Sequence, residues 1–130
     1  MASIRKEIRI DAPVDRVWAA LRDVGALHTK LVPGFVKDTQ MEGDTRVVTF
    51  ANGMVAREDI VAVDDAARRV AWAIIGQQFV HFNGAAQVFD HPDGSRFVWT
   101  TDLLPHEAAG NVDAMMNAGI AAIKKTLEAG

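Results

Sequence analysis

Glu58 is a lone carboxylate on a row of small and apolar side chains. In MVAREDIVAV, Met54 to Val63, one parity holds Met54, Ala56, Glu58, Ile60 and Ala62, and the other holds Arg57 and Asp59. If the stretch is a strand, its period of two turns Glu58 toward the apolar side. A carboxylate taken out of water without a partner is costly, so it must protonate or recruit a cation, a donor or water. Glu58 can then anchor the polar end of an apolar guest, or exchange protons with a substrate in a water-poor pocket. The alternative is structural: Glu58 pairs with an arginine such as Arg46, or sits at an open rim.

Of four histidines, two can assist such chemistry. His28 can reach the mouth of a cavity from a short helix, or lie on the surface. His81 faces outward by strict alternation unless a bulge after Gln77 and Gln78 reverses it. His91 sits in a turn and His106 follows Pro105, so both are expected in solvent. No histidine pair has helical i, i+4 spacing and there is no cysteine, so no metal and no cofactor are expected. The only serines, Ser3 and Ser95, lie in no nucleophile-elbow pattern, and no glycine-rich phosphate loop is present. Glu58, His28 and His81 are therefore the catalytic candidates.

The 130 residues carry a net charge of -3 and are read as one domain, residues 1–130. That charge leaves no electrostatic footprint for nucleic acid. The apolar runs are far shorter than the ~20 residues that span a bilayer, and the first residues lack a signal-peptide core, so a cytoplasmic protein without membrane insertion is expected.

The elements that must position these groups follow from periodicity. SIRKEIRI alternates as a strand, with Lys6 breaking its apolar row. Asp11 is placed to cap the next helix, where Val14, Val17, Trp18 and Leu21 share a face. ALHTKLV reads as a second short helix. From Phe35 the chain alternates through a meander of strands, punctuated by turns at Gly43, Gly53, Gly76 and HPDG. Val112, Met116, Gly119, Ile120, Ile123 and Leu127 recur at threes and fours in a long terminal helix.

IDAPVDRVWAALRD, GMVAREDIVAVDDAARRVAWAI, GSRFVWT and the terminal helix, in this order, resemble the helix-grip superfamily of START-related and birch-pollen-allergen-like proteins, within it the small polyketide cyclase/dehydrase-like proteins. The resemblance covers nearly the whole chain. It implies an α+β fold in which a curved seven-stranded antiparallel sheet wraps a long C-terminal helix, with two short helices between strands 1 and 2. It also implies an elongated cavity between sheet and helix, and it likens Glu58 to the pocket-lining acid of ligand-binding relatives.

Parity then suggests the lining. Val70, Trp72 and Ile74 form one inward set, Val80, Phe82, Gly84, Ala86 and Val88 another, and Phe97, Trp99, Thr101 and Leu103 a third. Together with Phe35, Met54, Glu58, Met116 and Ile120, the expected ligand-binding residues are Trp72, Ile74, Phe82, Gly84, Ala86, Trp99 and Thr101. Gly84 and Ala86 are expected to leave room, and the absence of tyrosine departs from the polar pockets of many relatives. The expected function is carriage or sensing of a small hydrophobic or amphipathic molecule. One alternative is a cyclase, dehydratase or isomerase using Glu58 and a histidine, and another is a ligand-free interaction module. The strand surface expected at VFDHPDGSRFVW also offers a face for a homodimer.

Overall fold

The computed structural model describes residues 2–129. Its first strand, β1 (Ala2–Ile10), alternates between half-buried and exposed residues, as a strand with one wet face should. Lys6 lies on the inner row and is not a fault there: its Nζ is 2.6 Å from Asp113 Oδ1 on the terminal helix.

Helix α1 (Val14–Arg22) buries Val17, Trp18, Ala20 and Leu21. Asp11 does not cap it. Pro13 takes the N-cap position with no side-chain cap, and the Asp11 N–H donates instead to Glu128 Oε2 at 2.8 Å. The predicted second helix is a single π-helical turn, Leu27–Leu31.

The meander follows as β2 (Val36–Glu42), β3 (Thr45–Phe50), β4 (Val55–Asp64), β5 (Arg69–Ala73), β6 (His81–His91) and β7 (Gly94–Leu104). The sheet has seven strands in the order β1-β7-β6-β5-β4-β3-β2, and every pairing is antiparallel. Among the described residues, only the β1–β7 contact joins strands distant in sequence, because α1 and the π-turn carry the chain from one edge to the other. The turn into β7 requires glycine: Gly94 has φ +128°, and a Cβ there would strike the Ile10 carbonyl oxygen.

After a short 3-10 turn (His106–Ala108), helix α2 (Ala109–Ala129) packs Val112, Met116, Ile120, Ile123 and Leu127 into the core with Phe97, Leu103, Val48 and Val70. Its last turns are fastened to the end of β1, where Lys124 Nζ donates to the Arg9 carbonyl at 2.8 Å and to Glu128 at 2.6 Å.

Two bulges change the facing that parity predicts. The β2–β3 register shifts between Val36 and Asp38, so Lys37 is the extra residue and Thr39, three positions after Val36, shares the buried face with it. The β4–β5 register shifts between Ile60 and Ala62. Ala62 therefore pairs with Ala71 and leaves the inner row on which it was expected. Val80 is also corrected, since it lies in the loop before β6 and is 82% exposed.

Candidate functional site

β3 and β4 pair so that Arg46 lies directly opposite Glu58. Both are buried, Arg46 at 3% and Glu58 at 8% exposure. Arg46 Nη2 lies 2.7 Å from Glu58 Oε1, and Nε donates to the same oxygen at 2.9 Å. Nη1 donates to the Val24 carbonyl at 3.3 Å, and the guanidinium carbon lies 5.4 Å from the Trp72 ring centroid. The carboxylate on the apolar row thus has its cation beside it, the structural alternative left open by the sequence. Proton exchange at Oε1 would have to compete with two charged N–H donors.

The neighbouring inner row runs Ile60, Trp72, Gly84, Thr101 and Ile4 through consecutive cross-strand pairs. Trp72 lies over Gly84, where a Cβ would come within 2.7 Å of its Cζ2. The room expected at Gly84 is therefore taken by an indole. Ile74, Phe82 and Ala86 are buried around it, and Met116 and Ile120 face them from α2 within the same apolar cluster.

Further along, α2 approaches the sheet at Gly119. A Cβ there would lie 2.8 Å from Trp99 Cζ3 and 3.3 Å from Phe35 Cε2. Phe35 meets Phe50 edge-on, with ring centroids 5.5 Å apart. These two rings, with Met115 and residues of the β3–β4 loop, line a cleft of about 190 Å³. Met54 belongs to the rim of that cleft and not to an inner wall, since it is 61% exposed. A larger depression of about 280 Å³ lies between α1 and the end of α2, lined by Arg16, Ala19, Ala20, Lys30, Thr126 and Leu127. None of the polar groups on the inner face of the sheet lines it.

Four buried side-chain polar atoms have no hydrogen-bond partner among the described residues: Trp99 Nε1, Thr101 Oγ1, Thr39 Oγ1 and His28 Nδ1. Buried polar atoms are nearly always satisfied, so a concentration of exceptions calls for an explanation. Two of them, on Trp99 and Thr101, lie two residues apart on the inner face of β7. Thr39 was missed in the sequence because only the Lys37 bulge turns it inward.

His28 is half-buried in the π-turn. His81 faces away from the interior: the β6–β7 register is unbroken from His81, and adjacent Phe82 holds the inner side. The structure therefore does not bring Glu58 and His81 together on one face. His91 Nδ1 accepts from the Asp93 N–H at 3.0 Å. Among the described residues no three His, Asp or Glu side chains cluster as metal ligands would, and no helix is long and apolar enough to cross a membrane.

A seven-stranded antiparallel sheet closed over one long C-terminal helix, with two short helical segments between its edge strands, defines a START-related helix-grip protein. Residues 1–129 match the family described as polyketide cyclase / dehydrase and lipid transport, and the chain belongs to that family. It is 27% identical over 112 residues to MLP-like protein 423 of Arabidopsis thaliana, covering 75% of this chain and 72% of that protein. Its fold is similar to that of an uncharacterized protein from Bacillus thuringiensis, with a TM-score of 0.87, 16% identity and coverage of 97% and 98% of the two chains. It is also similar to norcoclaurine synthase from Thalictrum flavum, with a TM-score of 0.73, 20% identity and coverage of 98% and 84%.

Proposed function

We propose that this protein binds one small, mainly apolar molecule between the sheet and α2, as a carrier or sensor. The observation that carries this reading is the set of buried polar atoms left without partners inside an apolar interior, above all Thr101, which is 1% exposed. Such atoms are satisfied when a guest or water brings the complementary group. The cleft at Phe35, Phe50 and Met54 is the entrance in this reading, since Phe35 lines it and also meets α2 at Gly119, where Trp99 packs. The family's description, which includes lipid transport, agrees with this reading.

A second reading is an acid/base enzyme of the cyclase or dehydratase kind, and the likeness to norcoclaurine synthase favours keeping it. His28, with its unpartnered Nδ1, is then the proton-transfer group.

Native mass spectrometry of freshly purified protein, followed by denaturing extraction, tests binding directly. A stoichiometric apolar guest is the expected result. An empty protein that also fails to take up an apolar fluorescent dye such as anilinonaphthalene sulfonate would overturn the proposal.

A further inference from the structure

We propose that Asn52 is a site of spontaneous deamidation, a covalent change that puts a new carboxylate on the rim of the cleft lined by Phe35 and Phe50. It stands independently of the binding reading above.

Two of the four asparagines, Asn52 and Asn83, are followed by glycine. In such a pair the glycine amide nitrogen can attack the asparagine Cγ, because no Cβ obstructs its approach. The amide N–H gives its proton to hydroxide, a C–N bond forms at Cγ, and the side-chain nitrogen leaves as ammonia. Water then opens the five-membered imide. Addition at Cγ gives aspartate, and addition at the main-chain carbonyl gives isoaspartate. Either product makes the chain one unit more negative than its formal -3.

Both asparagines are exposed, so exposure alone does not separate them; the backbone does. Asn52 and Gly53 lie in the loop between β3 and β4, with nothing within 4 Å of where a Cβ on Gly53 would stand. The Met54 N–H donates to Asn52 Oδ1 at 3.0 Å. That oxygen takes up negative charge when Cγ is attacked, so a donor already in place stabilises the addition. One bond opposes it: the Gly53 N–H donates to the Phe50 carbonyl at 2.9 Å and must be released before its nitrogen reacts. Releasing it opens only the loop, since the bond from the Phe50 N–H to the Met54 carbonyl, 2.8 Å, still closes the hairpin.

Asn83 and Gly84 sit on β6, with strands on both sides. Asn83 pairs with Ala73 and Asp102, and Gly84 with Trp72 and Thr101. The Trp72 indole also covers Gly84. Closing the imide ring eclipses the asparagine Cβ with the next nitrogen about the Cα–C bond, a torsion that an extended strand does not reach. At Asn83 the reaction therefore requires both ladders to open.

Asn52 lines the cleft with Phe35, Phe50 and Met54. Deamidation thus sets a charge among apolar side chains, and isoaspartate lengthens the main chain of the loop by one carbon.

The test incubates the full chain at mildly alkaline pH in heavy-oxygen water, folded and in guanidinium chloride, and reads tryptic peptides by fragmentation mass spectrometry. Asn52 falls in peptide 47–57 and Asn83 in peptide 70–96. In the folded protein, heavy oxygen is expected to enter at Asn52 at least about tenfold faster than at Asn83. In denaturant the two rates are expected to converge, which assigns the selectivity to the fold. Asn83 reacting as fast as Asn52 in the folded protein overturns the proposal. So does an Asn52 that reacts in denaturant and stays intact in the folded chain.

Discussion

Arg46 and Glu58 face each other across β3 and β4, with Nη2 2.7 Å and Nε 2.9 Å from the same carboxylate oxygen. Breaking one side of such a buried pair leaves an uncompensated charge, whereas replacing both with apolar residues is often tolerated. Glu58→Gln and Arg46→Met should each destabilise the protein by about 3–5 kcal/mol. The double variant Arg46→Met with Glu58→Leu should recover most of that loss. Urea unfolding of the four proteins decides it, and additive losses in the double variant would contradict a coupled pair.

Gly119 allows α2 to lie against Trp99. Alanine there would gain up to about 1 kcal/mol of helix propensity, but its Cβ would sit 2.8 Å from Trp99 Cζ3. The clash should win, with a net loss of roughly 1–3 kcal/mol and weaker dye binding. A more stable Gly119→Ala protein would mean that Trp99 moves aside freely.

Gly94→Ala combines a left-handed backbone with a collision against the Ile10 carbonyl. Its cost should exceed the ~1 kcal/mol usual for replacing a glycine at positive φ. Thermal unfolding measures this directly. Gly43→Ala, which has positive φ but open space around it, is the control and should lose less.

Acid should weaken the protein through exposed carboxylates. The Arg5 hydrogen bond, with help from Arg96, holds Glu7 below its ordinary pKa. Arg22 and then Trp18 do the same for Asp65, and Lys124 and the Asp11 N–H for Glu128. Because these folded values are depressed, the stability they add is complete above the ordinary carboxylate range near pH 4 and is lost as pH falls through the folded values. The urea midpoint should therefore fall between about pH 5 and about pH 2. The contribution of these solvated groups should be small and shrink in high salt. Asp65→Asn should flatten part of the pH dependence, and an unchanged profile would remove Asp65 from this account.

Much of this protein is written in local periodicity. The alternation of SIRKEIRI, the threes and fours of the terminal helix and the turn residues between strands specify the order of elements. That order supports the helix-grip resemblance that the structure and the family match bear out. The same periodicity placed Trp72, Phe82, Trp99 and Thr101 on the inner face, since burial on one side of a sheet forces a period of two. It could not see the single extra residue at Lys37 or the register shift after Ile60, each of which reverses the facing of the residues beyond it. Nor could it choose among the fates of Glu58, because which cation lies opposite is set by strand register. The room at Gly84 was lost to Trp72 for a similar reason: a glycine marks where a side chain is absent, and only packing decides what fills the space.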